Sequence, residues 1–424
     1  MKDISRIPVR ELVSKGEAEL KTGPFGTQLK ASDYTGSGIP VINVRNIGFG
    51  SIRPDKLEYI SAATRDLLSS HVLRQGDIVF GRKGAVERHI FVRQEQDGWF
   101  QGSDCLRLRL NAGRVNPLFA SYFFLTPEHQ RWMMNQCSHG ATMASLNQEI
   151  LERIELPLPP LPTQRRIAGI LSAYDDLIEN SQRRIKILEK MARRLYREWF
   201  VHFRFPGHED CTFMDSPLGE FPEGWEVKNL AHVAEVNRAQ INARTAPEQL
   251  HYIDISSVSP GQIDSVTTYT FADAPGRARR IVQHGDVLWS CVRPNRRSYA
   301  QIMYPDANTI ASTGFAVLSA TKVPFTFLYF ATTTDDFVAF LTTNATGAAY
   351  PAVTATAFEK AELLIPSALL LQKFGEATIP MTEQIHTFQR QIQNLRRTRD
   401  LLLPRLLSGQ IDVEALQEVA AVEP

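Results

Sequence analysis

Two short stretches of this 424-residue sequence place basic and amide side chains in turns next to apolar segments. The stretches are FGRKGAVERH and SCVRPNRRSY, and their candidate residues are Arg82, Lys83 and Arg88 in the first and Arg293, Asn295, Arg296 and Arg297 in the second. An arginine guanidinium pairs with two acceptors on the edge of guanine, and an asparagine amide pairs with adenine. The two turns are therefore candidate contacts to DNA.

Either turn, taken alone, could equally be the solvated tip of a hairpin. The first turn is flanked by Gly81 and Gly84, whose backbone freedom suits a close approach to phosphate. Its glycine and lysine spacing does not match that of a nucleotide-binding P-loop. The turn is thus a candidate for binding a nucleic acid and not a nucleotide.

Weaker candidates lie in three other kinds of loop. They follow the GPFGTQ segment, follow the PVINV strand, or precede each long helix, and they are Lys30, Tyr34, Arg45, Asn46, Thr142 and Tyr350. Each combines a polar or aromatic side chain with a predicted turn, which is also typical of ordinary surface loops.

The sequence lacks the motifs that independent catalysis would need. It contains no Asn-Pro-Pro-Tyr-like tetrapeptide of an amino-methyltransferase, no glycine-rich S-adenosylmethionine loop after a strand, and no nucleotide-binding loop. The segment RPDKLEYI lacks the second acid-x-lysine arrangement that a metal-dependent phosphodiesterase requires. Four scattered cysteines form no C-x-x-C pair, so we expect neither a disulfide framework nor a metal site. We therefore predict no catalytic residues and no cofactor bound by this chain.

Both basic turns follow the same Gly-Asp strand signature, and the surrounding sequence repeats in the same order. QGDIVFGRKG (75–84) matches HGDVLWSCVR (284–293), and IPVINVRNIGFGSI (39–52) matches HYIDISSVSPGQID (251–264). NPLFASYFF (116–124) matches VPFTFLYFA (323–331), and SHGATMASL (138–146) matches NATGAAYPAVT (344–354). Four matches in register predict a duplicated unit of about 208 residues.

Each repeat begins with short Val- and Ile-rich runs bounded by glycine and proline, which predict strands. Aromatic residues at helical spacing follow, and packing of a helix against the sheet explains them better than a cofactor site does. Each repeat then closes with a Pro-containing run and a long segment whose apolar residues alternate steps of three and four. The predicted seam consists of Ile167, Leu171, Tyr174, Ile178, Ile185, Leu188 and Leu195 in the first segment and Ile385, Phe388, Ile392, Leu395 and Leu402 in the second.

A seam of period 3.5 predicts a helix that pairs with another helix. Each segment alone could instead be a buried helix of one large domain, but two matched segments favour a coiled coil. Pro380 and Pro404 are expected to kink or end parts of the second helix. The predicted fold is α+β, with two duplicated mixed α/β domains separated by two long helices that form an antiparallel coiled coil.

Bulk properties limit the class of protein. A length of 424 residues exceeds what one core usually organises, so at least two domains are expected. The N-terminus lacks the apolar core of a signal peptide, and no stretch approaches the roughly 18 apolar residues of a membrane span. We expect a cytoplasmic protein without membrane contact. The net charge of +1 does not by itself indicate a nucleic-acid binder, so any DNA contact must come from local patches or be shared with a partner.

The chain resembles the specificity subunit of type I restriction-modification enzymes over nearly its whole length. The resemblance rests on an ordered set of segments: GPFGTQLKASDY, GIPVINVRNI, GDIVFGRKG, LPLPPLPTQRRI, PLGEFPEGWEVKNLAHVAEV and LLLPRLLSGQID. The second half departs most, since Ser290, Cys291 and Val292 replace the Gly-Arg-Lys of the first turn. IPSALLLQKF also lacks the usual double proline, which affects only the detailed placement of the second helix.

This resemblance implies a non-catalytic subunit that reads a two-part, asymmetric DNA site. Residues 1–155 and 206–365 would be target recognition domains, and 156–205 and 366–424 would be spacer helices, the last with a C-terminal tail. The implied partners are double-stranded DNA, two methyltransferase subunits and two restriction/translocase subunits, which would bind S-adenosylmethionine, ATP and magnesium. The alternative is a coiled-coil adaptor that binds only protein and has no sequence-specific affinity for DNA.

Overall fold

The computed structural model describes residues 5–111, 113–137, 144–215 and 219–414. The strands of the first half are β1 (Arg6–Pro8), β2 (Ala18–Thr22), β3 (Tyr34–Thr35), β4 (Ile39–Ile42), β5 (Phe49–Gly50), β6 (Glu58–Ile60), β7 (Ile78–Gly81), β8 (His89–Phe91), β9 (Phe100–Gln101), β10 (Cys105–Leu110) and β11 (Glu155–Pro157). The helices are α1 (Val9–Ser14), α2 (Ala62–Leu67), α3 (Pro117–Phe124), α4 (Pro127–Cys137), α5 (Gln148–Glu152) and the long α6 (Leu161–Tyr196).

The second half has a similar but not identical order of elements. Its strands are β12 (Phe213–Met214), β13 (Phe221–Pro222), β14 (Glu226–Asn229), β15 (Ala234–Val236), β16 (Gln249–Ile253), β17 (Val258–Ser259), β18 (Gln262–Ile263), β19 (Thr267–Thr270), β20 (Ala278–Ile281), β21 (Val287–Ser290), β22 (Tyr299–Gln301), β23 (Thr309–Ser312), β24 (Phe315–Ala320) and β25 (Glu362–Ile365). The helices are α7 (Phe325–Ala331), α8 (Asp335–Thr343), α9 (Ala355–Glu359) and the long α10 (Ala368–Leu407).

The chain divides into two compact units, and the divisions fall inside the two long helices. The first unit comprises the described residues of Met1–Glu179 and Gln393–Pro424, and the second comprises those of Asn180–Ile392. Each unit therefore contains one mixed α/β domain together with one part of α6 and one part of α10.

In the first unit, the main sheet has the strand order β2-β10-β7-β8-β5, and a second sheet has the order β3-β6-β4-β9. The central strand β7 is buried on both faces, which explains its uninterrupted apolar sequence IVF. Ile78 and Phe80 pack with the buried residues of α3 and α4. Val79 packs on the opposite face with Ile42 and Ile90.

The second unit repeats the core of this topology, with four strands in its main sheet where the first unit has five. Its main sheet has the order β15-β24-β21-β22, and its second sheet has the order β19-β16-β23-β20. In each unit the second sheet contains one parallel pair, β4 with β9 and β16 with β23. A short antiparallel pair, β1 with β11 and β14 with β25, brings together the two ends of each domain. The predicted fold, with two duplicated mixed domains and two long helices, is confirmed.

The repeated Gly-Asp signature has a structural cause in both units. Gly76 and Gly285 adopt φ angles of 90° and 86°, a region that glycine enters at little cost. The carboxylates of Asp77 and Asp286 accept backbone N–H groups three residues earlier, at 2.8 and 2.7 Å. In the first unit, Arg109 also donates two 2.7 Å hydrogen bonds to Asp77. The signature therefore fixes the entry of each central strand, and through that strand the position of the basic turn that follows it.

The long helices pair antiparallel within the first unit. The beginning of α6 packs against the end of α10, where Leu171, Leu403 and Leu406 belong to one buried cluster. One turn further along α6, Asp175 accepts a 2.6 Å hydrogen bond from Arg399, which lies one turn earlier in α10. Residue numbers rise along one helix while they fall along the other, as an antiparallel pair requires.

The same direction holds within the second unit. The guanidinium of Arg184 lies 5.6 Å from the ring centroid of Phe388. Further along α6, the ring of Tyr196 lies 6.1 Å from that of Phe374, which is near the start of α10. The helix continues as a π-helical turn over Arg197–Val201, where the Phe200 ring lies 4.9 Å from the Phe374 ring. Aromatic rings thus pack between the end of α6 and the start of α10.

The predicted seam residues lie on the paired sides of the two helices. Five of them are buried, namely Ile167, Leu171, Ile178, Phe388 and Ile392. The other seven are half-buried, namely Tyr174, Ile185, Leu188, Leu195, Ile385, Leu395 and Leu402. Partial exposure is expected for a two-helix contact, because each helix has only one neighbour to cover its apolar stripe.

The expectation that prolines would end parts of the second helix is wrong. The helix α10 is continuous from Ala368 to Leu407 and includes both Pro380 and Pro404. Both prolines are exposed, as are Glu376 and Asp400, whose carbonyl groups lose their usual helical N–H partner. Water can therefore hydrate these carbonyls on the outer side while the apolar seam holds the helix together.

Among the described residues, no helix is both long enough and apolar enough to cross a membrane.

Candidate nucleic-acid interface

The first basic turn connects β7 to β8, and its backbone is held by neighbouring segments. The Arg82 N–H donates to the carbonyl of Asp104 at 2.9 Å, and the Arg82 carbonyl accepts from the N–H of Leu146 at 2.8 Å. Gly84 has a φ of 76° and donates its N–H to Ala144 at 3.0 Å. These bonds fix the backbone of the turn, so its side chains start from defined positions.

The three cations of this turn differ in how free they are. The Lys83 ammonium lies 3.5 Å from Asp104, and both groups are more than half exposed. The Arg88 Nε lies 3.2 Å from Glu87, and its guanidinium stacks 5.2 Å from the Phe49 ring centroid. No described residue forms a hydrogen bond or ion pair with the Arg82 side chain. Arg82 and Lys83 are therefore the cations most available to a ligand.

The second basic turn connects β21 to β22 and has an unusual backbone. Arg293 and Arg297 adopt φ angles of 52° and 57°, a left-handed conformation that is uncommon outside glycine. They flank a 3₁₀ turn, Pro294–Arg296. Asn295 within this turn is exposed, as is its neighbour Arg296. The turn thus presents an amide and a guanidinium at its tip.

The structure brings together two candidates that lie far apart in the sequence. The Arg293 guanidinium stacks 4.6 Å from the ring centroid of Tyr350 and donates to the carbonyl of Ala349 at 3.2 Å. Arg297, by contrast, is paired at 2.5 Å with Asp335, the first residue of α8. Arg297 thus has a carboxylate partner on the protein, whereas Arg293 and Tyr350 form one surface.

The two turns occupy equivalent positions in their domains. In the first, Lys83 forms an isolated β-bridge with Ser145, and in the second Val292 forms one with Ala352. The bridging residues lie at the ends of the repeated segments SHGATMASL and NATGAAYPAVT. Thr142, the candidate in the first of these segments, lies outside the described residues.

The weaker candidates near the N-terminus have different environments. Lys30 is exposed, whereas Tyr34 is half-buried, and burial is the main cause that raises the pKa of its hydroxyl. Arg45 is paired with Glu58 at 2.5 Å. Asn46 is fully buried, and its amide makes hydrogen bonds of 3.0 to 3.2 Å with three backbone groups. We therefore assign Asn46 a structural role in its loop and leave it out of the interface proposed below.

The structure places one further basic segment, which is not among the sequence-based candidates, beside the second turn. APGRARR (274–280) leads into and forms most of β20, an edge strand of the second sheet. The carbonyl of Arg277 accepts the N–H of Thr313 at 2.7 Å, and the next residue, Gly314, accepts the N–H of Cys291 at 2.8 Å. The sequence feature that could have identified this segment is its three arginines within four residues.

One buried pair resembles a catalytic arrangement but cannot act as one. The His89 Nε2 lies 2.8 Å from the Ser121 Oγ, and both residues are buried. Burial lowers the pKa of His89 to about 3, so its imidazole is a weak base. A substrate has no route to this pair, which instead satisfies two polar groups in the core.

Comparisons with known proteins agree on one family. Residues 28–190 match the family model described as the type I restriction modification DNA specificity domain. The chain is 26% identical to the type I restriction enzyme MjaIX specificity subunit of Methanocaldococcus jannaschii, over 98% of this chain and 96% of that protein. It is 20% identical to the type I restriction enzyme HindI specificity subunit of Haemophilus influenzae, over 80% of this chain and 87% of that protein.

A solved structure shares the fold. The crystal structure of the type I restriction-modification system S subunit from M. genitalium superimposes with a TM-score of 0.62. The alignment covers 96% of this chain and 97% of the other at 15% sequence identity. At that identity the likeness bears on the fold alone.

Proposed function

We propose that this chain is a member of the family of type I restriction-modification specificity subunits and that it reads a two-part DNA site on behalf of partner enzymes. The observation that carries this proposal is the duplication of a whole domain with a basic turn at the same topological position in each copy. A single basic turn is common on protein surfaces, but its repetition at an equivalent place indicates a function that both copies perform.

Each copy would read one half of the site. The turns differ in sequence, GRKGAVER in the first copy and CVRPNRRS in the second. Because side chains read bases through specific patterns of donors and acceptors, two unlike turns recognise two unlike half-sites. The accessible readers are Arg82 and Lys83 in the first copy and Arg293, Asn295 and Arg296 in the second, with Tyr350 beside them.

The long helices would set the number of unread base pairs between the half-sites. Half-site spacing follows from the spacing of the two readers in the protein. The 36 residues of α6 span about 54 Å at 1.5 Å per residue, comparable to roughly 16 base-pair steps of 3.4 Å. This length accommodates two short half-sites and a gap between them.

The chemistry would reside in partner subunits. Two methyltransferase subunits would bind S-adenosylmethionine, and two restriction/translocase subunits would bind ATP and magnesium. Within this chain, the buried histidine and serine of the first core have no access to substrate, and the described residues contain no cluster of three or more His, Cys, Asp or Glu side chains suited to a metal. The chain would contribute recognition and not catalysis.

The test is methylome sequencing of cells that carry this chain with its methyltransferase partner, compared with cells that carry the partner alone. We expect a chain-dependent methylation motif made of two unlike halves around a gap of fixed length. If the soluble complex forms and no such motif arises, the proposal is rejected in favour of an adaptor that binds only protein.

A further inference from the structure

The edge strand β20 carries an irregularity that redirects its arginines. It pairs antiparallel with β23, and the register shifts between Ala278 and Arg280. Such bulges are common at sheet edges and turn a side chain away from its regular direction. The two neighbouring arginines consequently have different surroundings. Arg279 stacks 4.8 Å from the Phe271 ring centroid and donates to the carbonyl of Ala278 at 2.8 Å.

Arg280 has no comparable support. Its Nε is buried and has no hydrogen-bond partner, and no described residue forms an ion pair with its guanidinium. Burial is the main cause that lowers the pKa of Arg280, and Cys291 at the base of the second basic turn is the group that acts on it electrostatically. A partly desolvated cation without an anionic partner is unfavourable in the isolated protein.

The backbone around Arg280 connects it to the second basic turn. Thr313 and Gly314 bridge the two segments, since the first bonds to Arg277 and the second bonds to Cys291, at 2.7 and 2.8 Å. Cys291 lies two residues before Arg293 in the sequence. The edge strand and the turn therefore form one continuous surface within the second unit.

This surface is rich in cations that the protein itself leaves uncompensated. Arg277, Arg280, Arg293 and Arg296 form no ion pair with any described carboxylate. Arg297 is the contrasting case, because Asp335 neutralises it. Guanidinium groups without a carboxylate partner are available to an anion from outside the chain, and the phosphates of DNA supply anions at regular spacing.

We propose that Arg280 binds a backbone phosphate of the DNA read by the second basic turn. The inference rests on the proposed function and extends that site onto β20. Arg280 would position the duplex, while the turn reads its bases.

The first copy does not share this contact. His71 precedes the Gly-Asp signature by the same five residues as Arg280 does, and it is the corresponding residue. Burial lowers the pKa of His71 to about 4, so its imidazole is neutral at pH 7. A neutral side chain releases no counterion from DNA, and the phosphate contact is therefore specific to the second copy.

The experiment measures binding of the full chain to a fluorescent pool of random-sequence duplexes between about 0.05 and 0.2 M salt. Arg280→Gln should weaken binding roughly eightfold at 0.1 M salt and lower the slope of log affinity against log salt by about one, the contribution of one phosphate. Arg280→Lys keeps the charge and should keep the slope. The matched control is Arg279→Gln, which removes the same charge from the same strand and should leave the slope unchanged.

The outcomes separate this inference from the proposed function. If the unaltered chain binds no duplex at any salt concentration, the proposed function fails. If it binds and Arg280→Gln has the slope of Arg279→Gln, the phosphate contact alone is rejected. A loss confined to the target sequence identified by methylome sequencing would also reject it, because that result indicates base reading. Equal losses in Arg280→Gln and Arg280→Lys would assign Arg280 a structural role and overturn the proposal.

Discussion

At the scale of single residues, the cations of the two basic turns are distinguished by their partners. Arg297 and Arg88 are engaged with Asp335 and Glu87, whereas Arg82 has no described partner. The ion pair of Lys83 with Asp104 is exposed, and such pairs are worth little. A side chain that is only weakly held by its protein partner can transfer to DNA at low cost.

Replacing Arg82 and Lys83 with alanine should therefore weaken binding by about 1 to 3 kcal/mol for each base that is no longer read and relax only one half-site. Binding to duplexes altered in one half-site at a time measures this effect. Arg65→Ala is a suitable control, because Arg65 lies in α2, outside both basic turns, and pairs with its neighbour Asp66. Equal weakening at both half-sites would point to misfolding or to a general electrostatic role.

Buried histidines make the stability of the first unit depend on pH. His129 is 4% exposed, and burial lowers its pKa to about 3, below the value of about 6.5 for an unfolded chain. Between these values the unfolded chain binds a proton that the folded chain does not. The contribution of neutral His129 to the free energy of unfolding is therefore fully present above about pH 6.5 and decreases as the pH falls towards 3.

His129→Phe should reduce this dependence by up to about 1.4 kcal/mol per pH unit. His129 and Phe337 occupy the same place in their helices, since each donates its backbone N–H to a threonine three residues earlier, Thr126 and Thr334. Phe337 is 5% exposed, so a buried aromatic ring is compatible with this position. Urea unfolding from pH 7 to pH 4.5 measures the effect, and His232→Gln at an exposed position serves as the control. An unchanged slope in His129→Phe would show that His129 takes up its proton while folded.

At the scale of elements, α10 shows how a packed seam overrides local propensity. Proline inside a helix removes one hydrogen bond and costs about 3 kcal/mol relative to alanine. The helix nevertheless runs through Pro380, which is exposed, while Phe374 and Phe388 on the seam are buried. Burial of large side chains on the inner stripe stabilises the helix by more than the hydrogen bond that proline removes on the outer side.

Pro380→Ala should accordingly raise the free energy of unfolding of the second unit, by up to about 3 kcal/mol, because the new N–H can bond to the carbonyl of Glu376. Denaturant unfolding measures the change. Gln384→Ala, at an exposed position of the same helix, should change stability by less than about 0.5 kcal/mol. No gain in Pro380→Ala would mean that the Glu376 carbonyl is already satisfied.

At the scale of the whole molecule, the proposed spacer can be tested by changing its length. One heptad inserted into each long helix, after Glu179 and after Ile392 where the two units divide, keeps the seam in register. It adds about 10.5 Å of helix, which should lengthen the unread gap by roughly three base pairs. Methylome sequencing gives the gap directly. A gap of unchanged length would reject the spacer role of the helices.

The sequence was sufficient for features that depend on local pattern. The seam spacing predicted both long helices, since a helical period is visible in a single segment. The two Gly-Asp signatures predicted equivalent strands and turns. Their glycine adopts a positive φ and their aspartate accepts a backbone N–H three residues earlier, and both are local interactions. Duplication followed from comparing the halves, and the domain topology confirms it.

Only the tertiary structure decided which of the candidate side chains are available. It buries Asn46, pairs Arg297 with Asp335, and stacks Arg293 on Tyr350. It also connects the strand that carries Arg280 to the second basic turn, through the backbone of Thr313 and Gly314. The physical reason is that availability depends on interactions between residues distant in the chain, and no local period or propensity encodes those interactions.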